Sequence, residues 1–133
     1  MQMQLDRVLF DEMVEHGLAA FPNESCGVLA GVQGRPVKFF PMTNRDASPV
    51  TYRLDPKEQL QVFDELDEQG WDLLGIFHTH THSDAYPSET DRRQAFYPET
   101  EYLVMSLSDR ANPILRSFRI QDEGIVEREL EIV

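Results

Sequence analysis

The chain has 133 residues, 41% hydrophobic and 27% charged, which is the composition of one globular domain large enough to bury a core. Its formal net charge of -12, from 24 acidic against 12 basic residues, opposes a nucleic-acid partner, because phosphate binding needs a basic face. No run of about eighteen apolar residues occurs and the N-terminus lacks a basic stretch leading into an apolar one, so neither a membrane span nor a signal peptide is expected. A cytoplasmic location follows as the default, and the single cysteine, Cys26, is consistent with a reducing compartment.

From about Leu5 to Ala20, Leu5, Val8, Leu9, Met13 and Leu18 recur near helical spacing opposite Asp6, Asp11, Glu12 and Glu15. This predicts an amphipathic packing helix with His16 at its surface, ended by Phe21-Pro22. Ser25 to Val32 is nearly all small or apolar and reads as a strand covered on both faces. A carboxylate at its start, Glu24, is then partly desolvated, which raises its pKa. Gln33-Gly34 predicts a two-residue hairpin turn, with Pro36 to Phe40 as the returning strand. Pro41 to Pro49 is a loop whose Met42, Asn44, Arg45 and Ser48 suit contact with a ligand or serve as a plain connection. Thr51 to Leu54 reads as a short strand. It leads into a helix with Asp55 as N-cap, Pro56 at the first position and Glu58 at the third, running to about Gln69 with Leu60, Phe63 and Leu66 inward and Gly70 as its stop.

Trp71 to Phe77 is the next strand, and it delivers His78, His80 and His82, three of the four histidines of the chain. Residues two apart on a strand face one side, about 7 Å apart at the backbone, so the rings of His78 and His80 can lean onto one ion. Ser88-Glu89-Thr90-Asp91, after Pro87, reads as a helix start, where Ser88 and Asp91 taken alone are only a cap. Taken together, two imidazole nitrogens and the Asp91 carboxylate suit zinc and leave a fourth tetrahedral position for water, the mark of a catalytic site. Sliding the pattern to His80 and His82 puts Thr90 and Arg93 in place of serine and aspartate, which leaves His82 as a solvent or substrate-side residue. Arg92 to Phe96 continues the short helix up to Tyr97-Pro98. Tyr102 to Leu107, Ile114 to Ile120 and Ile125 to Val133 read as strands that complete the sheet, with turns at Asp109 to Pro113 and Gln121 to Gly124. Periodicity alone thus predicts one α/β domain over residues 1–133, a mixed sheet packed by helices.

The spacing His-x-His-x7-Ser-x2-Asp, preceded by the glutamate of Asn23-Glu24-Ser25-Cys26-Gly27, resembles the motif of the JAMM (MPN+) metallopeptidases, in particular the small stand-alone bacterial members. The similarity runs from about Pro22 to Leu107. It implies a cytidine-deaminase-like arrangement, a Zn2+ ion held by His78, His80 and Asp91, Glu24 as general base and Ser88 as the donor to an oxyanion. It further implies hydrolysis of an amide or isopeptide bond after the diglycine tail of a ubiquitin-like or sulfur-carrier protein. Many members carry proline after the second motif histidine, where this chain has Thr81; a looser loop is expected there.

Two other classes compete. A cysteine hydrolase would use Cys26 with one of the clustered histidines, but Cys26 lies inside an apolar strand where a thiol is usually inert packing. A non-catalytic scaffold of the same fold is expected to lack the ligands, which are all here. A zinc deaminase needs a Cys-x-x-Cys pair, and one cysteine cannot supply it.

Overall fold

The computed structural model describes residues 2–133. In chain order the elements are β1 (Met3–Leu5), α1 (Arg7–Ala20), β2 (Cys26–Val32), β3 (Arg35–Met42), α2 (Pro56–Gln69), β4 (Asp72–His80), α3 (Glu89–Arg93), β5 (Glu101–Ser106), β6 (Ile114–Gln121), β7 (Gly124–Arg128) and β8 (Leu130–Ile132). Six strands form one mixed sheet in the order β3-β2-β4-β5-β6-β7, in which β4 and β5 are parallel and the other pairs antiparallel. The remaining two, β1 and β8, make a separate parallel pair. Among the described residues no helix is long and apolar enough to cross a membrane.

The strands at the middle of the sheet read as near-continuous apolar runs because both of their faces are covered. Along β2, β4 and β5 the pleat sends alternate residues to two cores. Val28, Ala30, Ile76, Tyr102 and Val104 join Leu66 of α2 on one face, while Leu29, Phe77, Leu103 and Met105 join Leu9 and Met13 of α1 on the other. That parity continues past Phe77. His78 and His80 fall on the α2 side, and Thr79 faces α1.

Local chemistry accounts for most element ends. Asp55 caps α2 by accepting the Glu58 amide at 3.1 Å, with Pro56 at the first helical position. Gln33 and Gly34 both take positive φ, the mirror-image turn that matches the strand twist and joins β2 to β3.

Several expectations are corrected. Leu5 belongs to β1 rather than to the first helix, and Val8 and Leu18 are exposed, since the buried side of α1 is Leu9, Met13 and Gly17. His16 is half-buried, its Nε2 donating to the carbonyls of Cys26 at 2.9 Å and Met42 at 3.0 Å, and so it pins the paired ends of β2 and β3. Thr51 to Leu54 is no strand; only Leu54 bridges, to Asn44. Leu60 points outward from α2. The histidine strand begins at Asp72 and runs on through His80, and α3 stops at Arg93. The last predicted strand is two, because after Arg128 the chain leaves the sheet and Leu130–Ile132 pairs with Met3–Leu5 instead.

Helix α1 sits close behind the histidine strand. A Cβ built on Gly17 would stand 2.9 Å from Cγ2 of Thr79 and 3.3 Å from Cδ1 of Leu107. Gly17→Val is therefore expected to destabilise the fold by about 2 kcal/mol through overpacking, read as a lower urea midpoint at unchanged slope. An unchanged midpoint would mean that α1 does not approach β4 this closely.

Candidate metal centre

Strand pairing assembles the site. In the β2–β4 ladder Cys26 stands opposite His78, and the Thr79 amide donates to the Ser25 carbonyl at 3.0 Å. Extending that register by one step would put Glu24 opposite His80, and the charges of His80 and Asp91 do act on its carboxyl. On the face opposite the imidazoles the Ser25 amide donates to Oγ1 of Thr79 at 2.8 Å and locks that register. The loop that follows β3 grips the glutamate from outside: the Glu24 amide donates to the Ser48 carbonyl at 2.8 Å, and Nδ2 of Asn44 donates to the Glu24 carbonyl at 3.0 Å.

His78, His80 and Asp91 are brought together as one buried cluster. Nε2 of His78 lies 3.1 Å from Nε2 of His80, and Oδ2 of Asp91 lies 3.0 Å from the first and 2.9 Å from the second. In a tetrahedral zinc site with bonds near 2.0–2.1 Å, neighbouring ligand atoms stand about 3.3 Å apart, close to this triangle. Nδ1 of His80 meets the Asp84 carbonyl at 2.8 Å, and since a carbonyl only accepts, that nitrogen carries the hydrogen. In neutral His80 the Nε2 lone pair is thereby aimed at the Asp91 carboxylate. Two acceptors that close need a positive charge between them, either a proton or a metal cation. The donor set of two imidazoles and one carboxylate fits zinc.

The remaining shell is made locally. Ser88 caps α3, its Oγ accepting the Asp91 amide at 3.0 Å while its own amide donates to Oδ2 of Asp91 at 2.9 Å, which aims the carboxylate and leaves the serine hydroxyl hydrogen without an acceptor among the described residues. Thr81, which stands where many members carry proline, donates from its hydroxyl to the Pro49 carbonyl at 3.2 Å and links the two loops. His82 is exposed, packed near Phe21 and apart from the cluster. Tyr52, read in the sequence only as part of a strand, stacks on His78 with ring centroids 4.2 Å apart and planes at 16°. Nothing in its local sequence signals this, because its partner is 26 positions away (78 − 52).

Electrostatics follow burial and pairing. Burial lowers the pKa of His78, partly offset by its bond to Asp91, so its ring is held neutral. Burial opposes the charge on His80 as well, but the bond to Asp91 and the Asp84 carbonyl prevail and raise its pKa. For Asp91 burial is outweighed by the bonds from His78 and His80, which hold the carboxyl far below the usual range. Glu24 is 4% exposed, its Oε1 has no hydrogen-bond partner among the described residues, and burial pushes its pKa up to about 8 against the pull of His80. Cys26 is fully buried and its thiol is pushed up to about 12, chiefly by burial, so it supplies no thiolate near neutral pH.

A mixed sheet with this buried histidine–aspartate cluster has the architecture of a JAB1/MPN domain. A JAB1/MPN domain protein from Archaeoglobus fulgidus superposes with a TM-score of 0.62 over 97% of this chain and 99% of its own, at 17% identity, and so shows the fold alone. The solution structure of a protein from Desulfitobacterium hafniense reaches a TM-score of 0.90 at 36% identity, covering 100% and 93%. The chain belongs to the family of prokaryotic homologs of the JAB domain, which matches residues 6–121. It is 41% identical to the CysO-cysteine peptidase of Mycobacterium tuberculosis over 94% of this chain and 87% of that protein. It is also 41% identical to a desampylase of Haloferax volcanii over 67% of this chain and 66% of that one. Peptidase activity in such relatives supports a hydrolase.

The Glu24 pKa has a consequence for stability. An acid whose folded pKa is raised keeps its proton in the folded state between about 4.5 and 8, so its stabilising effect is full below the lower value and is lost as pH rises through the upper one. Chelator-treated protein is expected to lose a few kcal/mol, on the order of 3, between pH 5 and pH 8.5, relative to Glu24→Gln measured alongside. Parallel melting curves for the two proteins across that range would show that Glu24 is not desolvated.

Proposed function

We propose that this chain is a cytoplasmic zinc peptidase that hydrolyses the amide or isopeptide bond following the C-terminal diglycine of a ubiquitin-like or sulfur-carrier protein. The observation that carries this reading is the convergence of His78, His80 and Asp91 to within about 3 Å of one another, beside a buried glutamate with an unpartnered oxygen. His78 Nε2, His80 Nε2 and Asp91 would hold the ion. When bound, zinc supplies Lewis acidity toward water and toward a carbonyl oxygen. Burial keeps Glu24 protonated near neutral pH in the metal-free chain; beside a bound dication its carboxyl would ionise, take the proton of the attacking water and return it to the leaving amine. The Ser88 hydroxyl, whose oxygen already accepts from the Asp91 amide, donates its free hydrogen to the oxyanion that develops on the scissile carbonyl.

The substrate class rests on the relatives whose names specify CysO–cysteine and a desampylase activity. Glycine at the end of the tail suits a site set in the wall of a sheet, since it presents no side chain to obstruct close approach. A scaffold role leaves the buried, costly cluster of ionisable side chains without a purpose.

Glu24→Gln should retain about one zinc per chain while kcat falls by about 10²–10⁴-fold on a diglycine-linked fusion; activity near wild type would remove Glu24 as the base. Asp91→Asn should lose zinc on dialysis, and an unchanged metal content would take Asp91 out of the ligand set. The reading as a whole is tested by incubating zinc-loaded protein with ubiquitin-like and sulfur-carrier fusions and locating the cut by mass spectrometry. Cleavage after the second glycine is expected, and no cleavage with or without chelator would overturn it.

A further inference from the structure

The two histidines of the cluster are not oriented in the same way. His80 has its ring fixed by a hydrogen bond from Nδ1 to the Asp84 carbonyl, the usual device that sets which nitrogen faces a metal. Nδ1 of His78 is buried and has no hydrogen-bond partner among the described residues. Its ring lies against Tyr52 instead, with centroids 4.2 Å apart and planes only 16° from parallel, a close stack of two ring faces.

Tyr52 is itself held fast. Its side chain is buried in the core with Leu54, Ile76 and Tyr102. Its backbone is bracketed by one side chain, as Asn44 donates from Nδ2 to the Thr51 carbonyl at 3.0 Å and accepts at Oδ1 from the Arg53 amide at 3.0 Å. The same Asn44 donates to the Glu24 carbonyl. One amide thus holds both the backbone of the buried glutamate and the ring that backs His78.

We propose that Tyr52 is the positioning residue for His78: its ring does by stacking what the Asp84 carbonyl does for His80 by hydrogen bonding, and holds Nε2 toward the metal position before any ion arrives. The inference rests on the zinc reading above. It assigns the role to the ring face and none to the phenol hydroxyl.

The test is zinc affinity, measured by competition with a chromophoric chelator, for wild type, Tyr52→Phe and Tyr52→Leu, with circular dichroism to verify folding. Tyr52→Phe keeps the face and should bind within about twofold of wild type, whereas Tyr52→Leu should bind about tenfold more weakly. Equal affinity for Tyr52→Leu would overturn the assignment while leaving the zinc reading intact; failure of wild type to bind zinc would overturn both. Should Tyr52→Leu not fold, the decisive measurement is on metal-free wild type. The ring C–H resonances of His78 should lie upfield of those of His80 through the ring current of Tyr52, and coincident shifts would sink the proposal.

Discussion

The register between β2 and β4 is the constraint on which the rest depends. Strand side chains alternate faces, so a slip of one residue would send both imidazoles into the α1 core and bring Thr79 to the site. The paired hydrogen bonds between Ser25 and Thr79 fix that register at the end of the ladder, at the residue next to Glu24 and between the two histidines. Close packing of α1 against Thr79, possible because residue 17 has no side chain, presses the same strand from behind. The chemistry on one face of the sheet is thus set by contacts on the other.

Around that register the protein gathers groups that are costly to bury and satisfies them in pairs. Asp91 is bonded by both imidazoles and by the Ser88 amide, and His80 by the Asp84 carbonyl. Besides Nδ1 of His78, which meets the Tyr52 ring in place of a polar partner, Glu24 is the exception. Its backbone is bonded on both sides, by Ser48 and Asn44, yet one carboxyl oxygen has no partner among the described residues. A backbone held on both sides thus carries a desolvated carboxyl, whose pKa burial raises.

The loop between β3 and α2 connects these parts. Its composition suits ligand contact or a plain connection, and in the structure it is held by Asn44 to Glu24, by the Pro49 carbonyl to Thr81, and by the hydroxyl and amide of Thr43 to Glu58 of α2. Through Tyr52 it reaches His78 as well. The loop is therefore part of the site's frame, and its polar residues serve intramolecular bonds.

What the sequence determined by itself is what depends on near neighbours. The Gln33-Gly34 turn, the Asp55-Pro56 helix start, the Ser88-to-Asp91 cap and the side-sharing of His78 and His80 all follow from backbone chemistry within a few residues. The grouping of His78, His80 and Asp91 was legible as well, since they lie on one strand and the helix start that follows it, whereas a place for Glu24 beside them was implied only by the family resemblance. Only the tertiary structure decided which partners distant residues find. Leu5 left its helical pattern to pair in β1 with β8, Leu60 turned outward, His16 turned inward to two carbonyls, and Tyr52 came to rest on His78. Each of these is set by how elements pack across tens of residues of intervening chain, where burial and the need to satisfy buried polar groups outweigh local periodicity.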